Sequence, residues 1–145
     1  MRELPPGEAR ALISIMALKA GRLKAAAAGD KPPAVPVPWR AGLVATAPRF
    51  ELWHAVAEAL EAEGVEALIA ATEGSGRALE IAGAQVLPTP PDREIGGGEV
   101  LLETRDFKYV IVVPPAGDVL IAGPERFLRA LEASLVDRVR RVSVA

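Results

Sequence analysis

The side chains that most often carry chemistry are nearly absent from this chain. Among 145 residues there is no cysteine, one histidine (His54) and one tyrosine (Tyr109). Without cysteine there is no disulfide framework and no thiolate zinc site. His54 has no second His or Cys at ligand spacing, so it does not read as a metal ligand. No Gly-x-Ser-x-Gly elbow is present to supply a nucleophilic serine. What remains is carboxylate, lysine and glycine chemistry. Glu99, Glu103, Arg105, Asp106 and Lys108 lie close together, and carboxylates on adjacent strands beside a lysine can hold Mg²⁺ in nucleases. Here the lysine stands in Asp106-Phe107-Lys108, the wrong relation for a Glu-x-Lys pair, so solvated turn charges are the simpler reading. Neither a metal nor a cofactor is expected.

A second candidate is Thr72-Glu-Gly-Ser-Gly76, read as lying between a strand and a helix. Glycines at such a junction free backbone N–H groups to cradle a phosphate, which would assign Thr72, Gly74, Ser75 and Gly76 to a nucleotide or small anion. The motif is neither Gly-x-Gly-x-x-Gly nor a Walker loop, and Glu73 would repel an anion. A tight turn capped by Thr72 or Ser75 is the competing reading.

The elements that position these groups follow from hydrophobic pattern and punctuation. Half of the residues are apolar and a quarter are charged, a globular balance, with an aromatic share of only 4%. The core is therefore built from Val, Leu, Ile and Ala. Pro5-Pro6-Gly7-Glu8 opens a helix that runs to about Gly29, since proline fits the first turn and an acidic residue suits the positive end of the dipole. Its apolar stretch 9–23 is interrupted by Arg10, Lys19 and Arg22 and does not read as a membrane span. Four prolines between Lys31 and Trp39 make an extended connector. Beyond it, 41–47 reads as a strand, 48–63 as a helix, 65–71 as a strand, 75–82 as a short helix and 85–88 as a short strand. This βαβαβ rhythm predicts an α/β fold. A proline- and glycine-rich loop, 88–98, leads to strands at 99–103, 108–113 and 119–122, the last two forming a hairpin around Pro114-Pro-Ala-Gly-Asp118. A helix from about Pro124 to Val136 and a strand over 140–144 close the chain.

Three segments result: an N-terminal helix (1–30), a proline-rich linker (31–40) and an α/β domain (41–145). Net charge is −2. Residues 1–40 carry seven basic and three acidic side chains, 41–92 two and eight, and 93–145 eight and eight. That asymmetry permits contact with a polyanion or another subunit without demanding it. Residues 1–8 lack the pattern of a signal peptide, so a cytoplasmic protein is expected. Abundant alanine, thirteen prolines and no cysteine suit a thermophile.

The C-terminal stretch resembles the C-terminal domain of archaeal tRNA-splicing endonucleases. The residues that carry the resemblance are Gly96-Gly-Gly-Glu-Val-Leu-Leu-Glu103, the charged turn 104–108, Tyr109-Val-Ile-Val-Val113, the loop 114–118, the helix 124–136 and the strand 140–144. Leu4-Pro-Pro-Gly-Glu8-Ala-Arg-Ala-Leu12 is similar to the Leu-x-x-x-Glu-Ala helix that precedes that domain. The resemblance implies an endonuclease-like C-terminal part and a mixed β-sheet with flanking helices. That family cuts RNA with a Tyr, a His and a Lys. At the matching places this chain has Leu102 or Glu103, then Arg105-Asp106-Phe107, and then only Arg138, Arg140 and Arg141. Arginine stays protonated and cannot shuttle a proton as lysine can.

The resemblance therefore implies no catalytic residue here. It implies a non-catalytic structural subunit of a heteromeric enzyme. Such a subunit would dock its catalytic partner through strand edges and the loop bearing Pro115, Gly117 and Asp118. Arg138, Arg140 and Arg141 would be available to tRNA phosphates. A free-standing nucleotide- or anion-binding module, and a scaffold or regulatory protein, are the other two readings.

Overall fold

The computed structural model describes residues 2–72, 74–82 and 98–144. Among them, eight strands form one open sheet: β1 (Arg2–Glu3), β2 (Ala41–Ala45), β3 (Ala67–Ala71), β4 (Ala78–Ala82), β5 (Val100–Glu103), β6 (Val110–Val113), β7 (Val119–Ala122) and β8 (Val139–Ser143). Three helices of the described residues flank it: α1 (Pro6–Ala28), α2 (Arg49–Ala62) and, last in the chain, α3 (Glu125–Ser134). The spatial order is β1-β4-β3-β5-β6-β7-β2-β8.

Every pairing in this sheet is antiparallel, not mixed. The strand–helix–strand alternation is real, but β2 and β3 are not neighbours. The meander β5–β6–β7 fills the space between them, so α2 spans three strands that come later in sequence. Consecutive elements suggest adjacency, and non-local pairing overrides that suggestion here.

The second departure is at 75–82, where a helix is expected and β4 is found. Ala, Leu and Glu are good helix formers, but Leu79 and Ile81 alternate with Ala78 and Glu80. That alternation matches a strand between β1 and β3 with each side chain set packed on a different face. The strand expected at 85–88 lies outside the described residues. So does most of the 88–98 loop.

Both faces of the sheet are covered, which explains strands with no polar alternation, such as Val110-Ile-Val-Val113. Ile111 and Val113 face α2 and α3, together with Leu43, Leu68, Leu79, Ile81, Leu102 and Ile121. Val110 and Val112 face α1, with Ile69, Leu101 and Ala122. α1 buries Ala9, Ile13, Met16, Ala20 and Leu23 against that second face and ends at Gly29, whose φ of 75° is the left-handed cap glycine tolerates. Leu23 reaches the sheet where Gly42 leaves room: a Cβ there would lie 2.5 Å from Leu23 Cδ1. No helix among the described residues is long and apolar enough to cross a membrane.

The sheet edges are short or charged. β1 has two residues, and β8 carries Arg140 and Arg141. Short strands and edge charges discourage pairing with another chain.

Candidate functional site

A groove of about 600 Å³ opens between the C-terminal half of α1 and the sheet. Its floor is Val112 and Leu120, its helix wall is Gly21, Ala25 and Ala28, and Pro33 of the linker flanks it. Small residues on the helix make the room. Lys24, Lys31, Glu99 and Asp118 stand among its lining residues, and Lys24 Nζ donates to Glu99 Oε1 at 2.9 Å. An apolar concavity of this size with a few charged groups has the anatomy of a binding site.

Pro115, Gly117 and Asp118, the residues expected to meet a partner, lie on the β6–β7 turn and are exposed. The turn is braced from below. Arg49 Nη2, at the start of α2, donates to the carbonyls of Pro114 at 3.0 Å and Gly117 at 3.2 Å. Gly117 has φ 97°, which a side chain would strain. The brace holds the turn beside the groove that Pro114 and Asp118 help line.

At the opposite end of β6, Tyr109 and Glu63 meet. The Tyr109 hydroxyl donates to Glu63 Oε1 at 3.1 Å, and Arg126 Nε donates to Glu63 Oε2 at 2.8 Å. Burial, then the hydrogen bond to Glu63 and its charge, push the phenol up to about 12. The phenol is therefore a fixed donor and not a proton shuttle at neutral pH. Two adjoining depressions, of about 440 and 560 Å³, share Glu63, Lys108 and Tyr109.

The charged set considered for Mg²⁺ is pulled apart by the fold. Glu99 pairs with Lys24. Glu103 is wholly buried on the α1 face. Arg105 bonds Glu8 at 3.0 Å and Glu80 at 3.3 Å, which hold its guanidinium above its ordinary pKa. Asp106 closes the β5–β6 turn by accepting from the Thr104 hydroxyl at 2.6 Å and the Lys108 N–H at 3.1 Å. Burial works to raise the Asp106 carboxyl, and these bonds outweigh it and hold it low. Phe107, at φ 59°, is the turn's strained residue, and its carbonyl accepts from Trp39 Nε1 at 3.0 Å. Among the described residues no group of three or more His, Cys, Asp or Glu could hold a metal.

Thr72, Gly74, Ser75 and Gly76 belong to the β3–β4 hairpin turn, which leads into a strand and not a helix. The Thr72 hydroxyl donates to Ser75 Oγ at 2.6 Å, and Ser75 Oγ accepts from the Arg77 N–H at 3.1 Å. Both hydroxyls are built into the turn's own hydrogen bonds, and a strand supplies no helix dipole to attract an anion.

The three C-terminal arginines do not form one patch. Arg141 bonds Glu125 at 2.8 Å and also Glu132, both on α3. Arg138 pairs with Glu51 on α2. Arg140 projects to the other face and donates to Ala27 O of α1 at 3.4 Å. His54 is exposed, its ring edge-on to Phe50 at 4.7 Å between centroids.

Sequence reasoning passes over the Tyr109–Glu63 contact, whose partners are 46 positions apart. It also treats Glu103 as a turn charge. A usable signal exists for Glu103: Leu101 and Glu103 share one face of a strand from a sheet apolar on both sides. Compared with family models, curated proteins and solved structures, the chain has no match.

Proposed function

We propose that this chain is a non-catalytic subunit that docks a protein partner through the β6–β7 turn and the groove beside it. The observation that carries the reading is the Arg49 brace. It holds an exposed turn in one shape next to an apolar concavity, with Asp118 among the lining residues. A pre-shaped loop loses little entropy on binding, so its contacts translate into affinity. Edge pairing, the other docking route expected from sequence, has little to offer at a two-residue β1 and an arginine-bearing β8.

The finer form of the proposal is a structural subunit of a heteromeric tRNA-splicing endonuclease, and it rests on the resemblance. It is supported by β5 and β6, which carry part of that resemblance and lie side by side inside the sheet. It is also supported by the state of the places that would match the family's Tyr, His and Lys. Leu102 and Glu103 are buried, Arg105 and Asp106 are engaged around a turn, and Arg138 and Arg141 are ion-paired. The fully antiparallel sheet is a departure from the mixed sheet that reading expects. RNA contact by Arg138, Arg140 and Arg141 draws no support from their placement, so protein is the proposed ligand.

The test mixes the chain with a catalytic subunit of an archaeal tRNA-splicing endonuclease and measures complex mass and intron cleavage. The chain alone is expected to cleave nothing. A complex is expected to form with the unaltered chain and to be lost with Asp118→Arg, whose fold is checked by circular dichroism. Cleavage by the chain alone would overturn the reading, and so would a complex indifferent to Asp118→Arg. Failure to bind this partner sinks the endonuclease form.

A further inference from the structure

Glu103 sits at the end of β5 with no exposed surface, and neither carboxylate oxygen has a hydrogen-bond partner among the described residues. It lies in a row across the α1 face, with Ile69 of β3 on one side and Val110 of β6 on the other. Among the described residues, the charged groups around it are otherwise engaged. On α1, Lys19 is the cation whose field reaches the carboxyl, yet its amine donates to Pro36 O at 2.9 Å and lies 4.9 Å from the centre of the Phe107 ring. Glu8, also on α1, bonds Arg105. On β4, Glu80 is two strands away in the same row, bonded to Arg2 at 2.6 Å and to Arg105, which hold its carboxyl below its ordinary pKa. In the β5–β6 turn, Asp106 bonds Thr104 and the Lys108 N–H. On the linker, Trp39 spends its N–H on Phe107 O. Beside Glu103 in that row, β3 and β6 present Ile69 and Val110, both apolar.

A carboxyl in such a place is tolerable when neutral and costly when charged. Among the described residues, α1 is the only helix over this face. It is tethered at one end by Leu4, whose N–H donates to Ala78 O at 2.9 Å, and at the other by the proline linker. We propose that α1 is a proton-gated cover, seated on the sheet while the Glu103 carboxyl is protonated and released when that carboxyl ionises, which uncovers the apolar face around Ile69, Leu101 and Val110.

Burial, opposed by Lys19, pushes the Glu103 carboxyl from 4.5 up to about 8 with the helix seated. With the helix off, the carboxyl meets water and returns to the ordinary range. A raised pKa in the closed form means that closure is favoured in full below about pH 4.5. The preference is lost as pH rises and reaches its floor above about pH 8. Between those limits the opening equilibrium rises up to about tenfold per pH unit, because one proton is released on opening.

Hydrogen exchange reads this directly. Amides of α1 from Ile13 to Leu23 are followed in the full chain at about pH 6 and about pH 8, corrected for intrinsic exchange, with the β6 and β7 amides as reference. Opening of α1 is expected to rise roughly 50-fold while the reference amides change less. Glu103→Gln and Glu103→Leu, both uncharged, are expected to hold the low-pH level throughout. A variant α1 with the wild-type pH response would overturn the proposal. So would equal pH slopes at α1 and β6 in the unaltered chain, a comparison that stands even if both variants fail to fold.

Discussion

Gly42→Ala is a single methyl placed where Leu23 of α1 packs closely on the sheet. The new Cβ would lie 2.5 Å from Leu23 Cδ1 and 2.9 Å from the carbonyl oxygen of Ile121. The first neighbour is a side-chain tip that can turn. The second is backbone in the β2–β7 ladder, where Leu43 pairs with Ile121, and it cannot yield without straining that ladder. Overpacking of this kind costs about 1–3 kcal/mol. Alanine returns part of that, on the order of 0.5 kcal/mol, by reducing the freedom of the unfolded chain. A net loss of about 0.5–2.5 kcal/mol is expected, a fall in Tm of roughly 1–10 °C for a chain of this size. Leu23→Ala alone opens a cavity under a wholly buried side chain and costs about 2–5 kcal/mol. Combined, the two substitutions relieve each other, because the methyl added at position 42 enters space that the Leu23 side chain has left. The double variant should be at least about 0.5 kcal/mol more stable than the sum of the single effects predicts. Urea denaturation gives all four values, with Trp39 on the α1 side and Trp53 on α2 as two fluorescent reporters. A neutral Gly42→Ala, or strict additivity, refutes the claim that Gly42 exists to admit Leu23.

Two further outcomes are expected. Tyr109 is the sole tyrosine, so its phenolate absorbance titrates alone, with a midpoint pushed up to about 12; its stabilising share is complete below about pH 10 and lost as pH rises through that midpoint. Glu63→Gln should lower the midpoint, and an unchanged titration would show that Glu63 does not hold the phenol. Gly123→Ala sets a Cβ 2.6 Å from the Phe127 ring, fully buried at the start of α3, and should cost about 1–3 kcal/mol in urea denaturation. The smaller Phe127→Leu in the same chain should recover part of that loss.

Much of the local structure is legible in the residues. Pro5-Pro6 and Gly29 bracket α1, and Gly64 follows α2 with the left-handed φ of 74° that only glycine takes freely. The hairpin around 114–118 and α3 after Pro124 follow from punctuation and periodicity. The 78–82 segment is misread because its residues favour a helix when taken alone, while its partners β1 and β3 favour a strand. The three C-terminal arginines are close in sequence, yet strand alternation sends Arg140 and Arg141 to opposite faces and α2 and α3 engage two of the three.

By itself, the sequence determines the scarcity of nucleophiles and ligands, the aliphatic core and most element boundaries, because these depend on side-chain identity and on neighbours within a turn or two. Only the tertiary structure decides that the sheet is antiparallel throughout, that Tyr109 meets Glu63, and that Glu103 is sealed under α1 with no hydrogen-bond partner among the described residues. Each of those depends on which distant segment fills a space, and a carboxyl's charge cost is set by that surrounding and not by its place in the chain.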